Sequence, residues 1–300
     1  MKRLCVILLV LTFLLSFGLT ISAHADPIIL PNEPVFFQFN NIEQVDQSLT
    51  NSIIVPGGYG NAGNWGLFNV SSIQHGAVAI PHTDISGGPV WWADDGPGGT
   101  QGQITGIFYN INLVDGTHAT GGIMDLYWHD AGSDTITATD MAGTTAGPDA
   151  ATVARFTSGT LLARLNFMPG IIDGDNTTTI LSDADLSISV SGHADSFADV
   201  DTSVVGAWTT QLDDNWFYVD NDGDGVYGET GEMRDIRFSN FFNGLPAWTD
   251  PTSPWIVGLR SNDPGRLYAQ PIPEPATLLL LGTGLIGFAA VARRRLKKKD

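Results

Sequence analysis

The chain has 300 residues, a formal net charge of −18 and a composition that is 43% hydrophobic. Between Asp26 and Gln270 six arginines face 30 of the 32 acids, a net charge of −24, because all four lysines lie at the two ends. A surface of that sign repels nucleic-acid phosphates and anionic lipid and attracts cations or basic partners, so nucleic-acid binding is excluded.

The N-terminus is laid out as a secretory signal peptide. Lys2 and Arg3 give a short positive region, Val6 to Ile21 is almost wholly apolar, and "SAHA" puts Ala23 and Ala25 at the small-residue positions of a cleavage site. This predicts a signal peptide over residues 1–25, removal by signal peptidase, and a mature chain that starts near Asp26. Cys5, the single cysteine, leaves with the signal. The mature domain is then without disulfide or thiol chemistry, and its stability must come from its core, with bound metal as the other source. About 245 residues suffice for one large core.

The region 26–270 reads as β-structure. Glycine-rich and aspartate-rich clusters such as "VPGGYGNAGN", "ADDGPGGTQG" and "DGTHATGG" supply turn angles between short alternating runs. "GIFYNINLV" alternates to place Ile107, Tyr109, Ile111 and Leu113 on one face, and "IMDLYWH" does the same with Met124, Leu126 and Trp128. "LLARLNF" sets Leu161, Ala163, Leu165 and Phe167 against Arg164 and Asn166, and "LSISVS" sets Leu186, Ile188 and Val190 against serines. A period of two predicts half-buried strands. With no amphipathic helix of more than a few turns and no fixed-period repeat, the expected fold is all-β, an antiparallel β-sandwich or jelly roll. One continuous domain over 26–270 is the first reading, and a subdivision near 200–210, where aspartates become dense, is the second. "RSNDPGRLYAQPIPEP" reads as a linker that holds the domain off the membrane.

The sharpest internal motif is "DNDGDG". Asp220, Asp222 and Asp224 project towards a common point when the loop curls, and Gly225 allows the bend, a pattern of hard oxygen ligands that suits Ca²⁺. Val226, Glu229 and Glu232 complete the candidate ligand set. The twelfth position is Gly231 where an EF-hand has Glu, with Glu229 and Glu232 on either side of it, and "NWFYV" in front reads as strand rather than helix. The expectation is a calcium loop in a β-hairpin; an acidic hairpin turn without an ion is the other reading. Asp173 with Asp175, and Asp199 with Asp201, are weaker pairs of the same kind.

Trp91 and Trp92 lie next to "ADDGPGG". Neighbouring strand residues face opposite sides, so one indole of this pair is free to form a platform for a sugar ring while the other packs inward. Catalytic signatures are missing: the sequence holds no G-x-S-x-G elbow, no H-E-x-x-H and no P-loop. His75, His82, His118, His129 and His193 are scattered without metal-ligand spacing and read as surface or loop residues. The expectation is therefore a protein that is not an enzyme.

The C-terminus answers the question of destination. Pro273, Glu274 and Pro275 precede 17 uncharged residues, Ala276 to Ala292, and then Arg293, Arg294, Arg295, Lys297, Lys298 and Lys299. An apolar run of that length approaches a bilayer span, and the basic cluster stays cytoplasmic as a stop-transfer signal. The order of motif, span and arginine cluster resembles the PEP-CTERM sorting tail of Gram-negative bacteria. That resemblance implies recognition by an exosortase, processing near Pro273-Glu274-Pro275, transient anchoring in the inner membrane through a helix over 276–292, and delivery to the cell surface or outside. The whole reading is an exported surface or extracellular-matrix protein of structural or adhesive type with a calcium loop. A carbohydrate-binding module for extracellular polysaccharide is the main alternative, and a secreted hydrolase the third.

Overall fold

The structure is a computed structural model that describes residues 27–272 apart from 84, 97–99, 131–135, 137–139, 141–146, 186–190 and 246–258. The signal peptide, residues 186–190 of the run "LSISVS", Pro273-Glu274-Pro275, the span 276–292 and the basic end lie outside the described residues.

The predicted all-β class is present, but the sheet closes on itself instead of forming the two layers of a sandwich or jelly roll. Eight strands make the closed barrel: β1 (Val35–Val45), β4 (Asn64–Val78), β6 (Gln103–Leu113), β7 (His118–His129), β8 (Thr160–Met168), β10 (Ser191–Val200), β13 (Ile236–Leu245) and β14 (Leu259–Ala269). The order around the barrel is β1-β14-β13-β10-β8-β7-β6-β4, and β4 returns to β1 with Val35 opposite His75 and Val45 opposite Asn64. All of these pairings are antiparallel. A period-two pattern specifies which face of a strand is buried and not how many sheets share that face, so closure through β1 and β4 was not readable from alternation alone.

Shorter elements complete the wall. β5 (Ile85–Ala93) pairs with the second half of β4, beyond the stretch where β4 pairs with β6. β9 (Ile180–Ser182) fills the gap between β7 and β10 that the short β8 leaves. Two small hairpins, β2 (Ile53–Ile54) with β3 (Asn61–Ala62) and β11 (Phe217–Tyr218) with β12 (Met233–Arg234), lie outside the barrel. Among the described residues are two short helices, α1 (Ala150–Thr157) and α2 (Thr209–Leu212).

The barrel interior is the main core. Phe37, Phe39, Phe68, Phe108, Met124, Leu126, Trp128, Leu165 and Phe238 belong to one buried cluster. The alternation predicted for Met124, Leu126 and Trp128, and for Ala163, Leu165 and Phe167, points into this interior, but Leu161 leaves its predicted face: the β7–β8 register shifts between Leu126 and Tyr127, and Leu162 joins the interior instead. The predicted face of "GIFYNINLV" does not hold together. Asn110 has φ 58°, and the β4–β6 register shifts beside it, so Ile107 and Tyr109 face outward while Phe108, Ile111 and Leu113 face the interior. A bulge of this kind moves every later side chain to the other face.

The outside is covered at two places. One apolar layer joins Trp65, Leu67 and Ile107 to the β2–β3 hairpin and to Val153 and Phe156 of α1, whose first turn Asp149 caps through Thr152 N at 2.8 Å. The other joins Phe36, Ile85, Phe217 and Tyr268. Covering the outer face explains why β6 is buried on both sides.

One pole of the barrel is plugged. Trp208 is 1% exposed, packs its ring against Phe37 at 5.9 Å, and donates its indole N–H to the Ile28 carbonyl at 2.6 Å. β10 and β13, on either side of residues 201–235, pair directly. Residues 259–269, read as part of a linker, are strand β14 in the wall between β1 and β13.

Candidate functional site

The "DNDGDG" motif is the connection of the β11–β12 hairpin, as its flanking residues predict. Val219 N donates to the Glu232 carbonyl at 2.9 Å and closes the loop. Asp220 is buried, and its two carboxylate oxygens accept from Gly223 N at 2.7 Å and Gly225 N at 2.9 Å. Both glycines have positive φ, 79° and 84°, and a Cβ on Gly223 would come within 3.1 Å of the Gly174 Cα. The loop is therefore wound around the Asp220 carboxylate by residues that only glycine fills without strain.

Asp220, Asp222 and Asp224 each offer a carboxylate oxygen within 4.8 Å of the others. Asp222 and Asp224 are exposed, and each accepts the N–H two residues on, at 3.1 and 2.8 Å. Glu232 is buried behind them. Its Oε1 accepts from Asn221 N at 2.8 Å and Asp222 N at 3.3 Å, while its Oε2 is buried with no hydrogen-bond partner among the described residues. Of the other predicted ligands, Val226 is exposed with its N–H on Asp224, and neither the exposed Glu229 nor the buried Glu232 joins the carboxylate cluster.

The weaker acidic pairs have local duties. Asp173 accepts the Tyr227 hydroxyl at 2.6 Å, and Asp175 accepts from Thr177 and Thr178, whose hydroxyls and N–H groups hold its carboxyl below the usual range. Asp201 caps Ser203. Asp199 faces Arg234 at 3.7 Å.

The two adjacent tryptophans differ in exposure but pack on one cluster. Trp92 is 4% exposed in the barrel core, and Trp91 is half-buried and packs on the same cluster. Among the histidines, His129 departs from the surface reading: it is buried, with its ring nitrogen 2.7 Å from the Thr105 hydroxyl. His75 pairs with Glu33, His118 with Asp115, His193 approaches Ser239, and His82 stacks on Tyr218.

A family model described as the PEP-CTERM protein-sorting motif matches residues 271–295. The chain carries a PEP-CTERM sorting motif. No curated protein and no solved structure matches the chain. The motif marks the protein as an exported substrate of exosortase, anchored through its C-terminus in a Gram-negative envelope.

The PEP-CTERM match begins at Pro271, two residues after the last barrel strand ends at Ala269. Ile272 N donates to the Gln211 carbonyl of α2 at 2.7 Å, and Gln211 Oε1 accepts from Leu30 N at 3.3 Å. The PEP-CTERM segment thus leaves directly from the plugged pole with no free spacer before Ile272.

Proposed function

We propose that the protein is an exosortase-sorted component of the cell surface or extracellular matrix, structural or adhesive in role, with a barrel fastened by Ca²⁺ in the β11–β12 loop. What supports the calcium assignment is the convergence of the Asp220, Asp222 and Asp224 carboxylates, with Glu232, whose Oε1 holds the Asn221 and Asp222 N–H groups and whose buried Oε2 has no partner among the described residues, in the same hairpin. A buried polar oxygen without a partner is costly, and a hard cation would satisfy it while offsetting repulsion among the acids. In this reading Asp220, Asp222 and Asp224 supply side-chain oxygens, Val226 its carbonyl, and Glu232 the buried carboxylate. Glu229 stays outside the site.

The loop has a structural position that makes such an ion consequential. Gly174 N donates to the Asp220 carbonyl at 3.0 Å, and Tyr227 binds Asp173, so the β11–β12 loop is tied to the segment that follows β8. Ordering it orders two connections at once.

Thermal unfolding of the purified chain in millimolar calcium, in chelator and in magnesium tests the proposal. Binding to the folded state alone at a hundredfold excess over Kd adds roughly 2.7 kcal/mol, so calcium raises Tm above chelator and above magnesium. Asp222→Ala with Asp224→Ala removes most of the rise. An equal shift with magnesium, or a full calcium shift in the double variant, overturns it.

A further inference from the structure

Towards the pole opposite the Trp208 plug, the barrel encloses a cavity of about 80 Å³ whose lining includes Asn41, Asn64 and Asn240. The outer face of the same wall carries a different arrangement, away from the β11–β12 loop. Ala194, Ser196 and Asn240 line the cavity, so their strand neighbours His193 and Asp195 on β10 and Ser239 on β13 project outwards.

These outward groups stand in series. His193 Nε2 lies 2.8 Å from Ser239 Oγ, and His193 Nδ1 lies 3.4 Å from Asp195 Oδ2. With the ring proton on Nδ1, towards Asp195, Nε2 is left to accept from the serine hydroxyl. Asp195 is directly opposite Ser239 in the β10–β13 ladder, and His193 is directly opposite Phe241. The His193 backbone is held by Asp183: its N–H donates to the Asp183 carboxylate at 2.7 Å, and Asp183 N donates to its carbonyl at 2.9 Å. Arg237, on the same face as Ser239, approaches the other Asp195 oxygen at 3.7 Å. His193, Asp195 and Ser239 are all partly exposed, so a reactant can reach them. Nucleophile, base and orienting carboxylate in this order are the parts of a serine hydrolase centre, which is recognised by geometry and not by sequence position. No linear motif marks it, because the trio meets only across two strands.

Arg266 on β14 is directly opposite Ser239 on its other side. Its guanidinium lies 5.6 Å from the exposed Phe241 ring and 5.9 Å from the Phe36 ring. Arg155, Arg164, Arg234 and Arg237 each face a carboxylate, whereas Arg266 has no ionic or hydrogen-bond partner among the described residues. In a domain of net charge −24 that leaves one guanidinium fork open to an anion from outside. Beyond it a surface groove continues over Phe36, Gln38, Gln74 and Tyr268, which gives a molecule at Ser239 room on the Arg266 side. The β13 backbone around Ser239 is engaged in the ladders to β10 and β14 and supplies no oxyanion hole. That limits the chemistry to esters, whose leaving group departs more readily than an amide's.

We propose that Ser239, His193 and Asp195 form an esterase site for a small carboxylic ester that also bears a carboxylate, with Arg266 holding that carboxylate. Ser239 Oγ adds to the ester carbonyl while its proton passes to His193 Nε2. The bond from the carbonyl carbon to the alcohol oxygen breaks, and the alcohol leaves with that proton. Water then adds to the acyl-Ser239 ester, gives a proton to His193, and the acid departs as Ser239 Oγ takes the proton back. This activity goes beyond a structural or adhesive role and does not depend on the calcium loop.

The purified full chain in detergent tests this with a fluorophosphonate, and with 4-acetoxybenzoate against its neutral methyl ester at the carboxylate. The expected results are a fluorophosphonate adduct on Ser239, located by peptide mass, and a lower KM for 4-acetoxybenzoate than for the neutral ester. Ser239→Ala removes the adduct and brings hydrolysis down to the rate without protein. His193→Gln slows both labelling and hydrolysis about a hundredfold. Arg266→Gln raises KM for 4-acetoxybenzoate about tenfold and leaves the neutral ester unchanged. All three side chains lie on the outer face, so the variants should melt with the parent. Absence of an adduct above that on the heat-unfolded chain, or unchanged hydrolysis in folded Ser239→Ala, overturns the proposal and leaves a surface hydrogen bond. Equal KM for the two esters overturns the assignment of Arg266.

Discussion

Arg164 grips both oxygens of Asp125, Nε to Oδ1 at 2.7 Å and Nη2 to Oδ2 at 2.8 Å, from directly opposed positions on β8 and β7. Asp125 is 0% exposed, and the Tyr109 hydroxyl donates to the same carboxylate at 3.3 Å. Burial, with the Asp125 charge beside it, pushes the Tyr109 phenol up to about 12. A fork of this geometry in a dry setting is strong only while both partners remain. Arg164→Met, which strands the carboxylate, is expected to cost about 3–5 kcal/mol in urea unfolding. The double change Asp125→Leu with Arg164→Met is expected to recover most of that loss. A loss below about 1 kcal/mol for the single variant would place the pair among surface ion pairs.

Stability is expected to fall as pH rises from mildly acidic to mildly alkaline. Burial pushes Asp199 up to about 6, against the lowering influence of Arg234. Burial, reinforced by the Asp235 charge, pushes Asp214 up to about 8. Both folded values lie above the ordinary 3.8, so the folded chain holds protons that the unfolded chain has released. Their contribution is complete below about pH 4 and is lost through about pH 6 and then about pH 8, with a slope near 1.4 kcal/mol per pH unit for each group. Below pH 4 the sign reverses, because Asp115 and Asp175 are held low by hydrogen bonds from Thr117 and Thr178. Chemical unfolding across this range, with Asp214→Asn as the comparison, checks it: the variant should flatten the alkaline decline.

Two glycines are required by the aromatic rings opposite them. Phe68 on β4 faces Gly106 on β6, and Phe108 on β6 faces Gly66 on β4. A Cβ at Gly106 would come within 2.1 Å of the Asp125 carbonyl oxygen and 2.3 Å of the Phe68 ring. At Gly66 it would come within 2.4 Å of the Ile42 carbonyl oxygen and 2.5 Å of the Phe108 ring. Backbone cannot withdraw as a side-chain tip can, so Gly106→Ala and Gly66→Ala should each destabilise by about 1–3 kcal/mol. Gly225→Ala, where no atom lies within 4 Å, should cost only the strain of its positive φ, on the order of 1 kcal/mol. Thermal melts of the three variants should rank in that order.

Sorting has its own variant. Glu274→Ala is expected to leave signal-peptide cleavage intact and to block removal of the tail in cells that hold an exosortase. Intact mass of the exported protein reads the outcome, and identical C-terminal processing of variant and parent would refute it.

How far the sequence led can be judged from particular residues. Met124, Leu126 and Trp128 were legible because β7 keeps strict alternation after Gly122, and the DNDGDG hairpin was legible because glycine and aspartate dictate a tight loop locally. β14 was read as a linker because "NDPG" is turn chemistry. In the barrel Pro264 falls where the β13–β14 ladder lapses between Asn240 and Gly244, so its missing N–H is tolerated there. The cavity amides left a faint trace. Asn41 continues the inward series Val35, Phe37, Phe39, and a polar residue on an apolar face is costly unless it is satisfied. Only the closed topology brings it to the same chamber as Asn64 and Asn240.

The two ends of the described domain emerge together. Ile28 and Leu30 bind Trp208 and Gln211, and Ile272 binds Gln211, so the entering and leaving segments meet at α2. The tail therefore leaves the barrel at its stoppered pole, where Ile272, the residue before Pro273, is still bonded to α2. The chamber lined by Asn41, Asn64 and Asn240 lies towards the other pole, so it and the point where the tail leaves are at opposite ends of the barrel. A cut in the tail beyond Ile272 leaves the bond between Ile272 and α2, and with it the closed pole, in place.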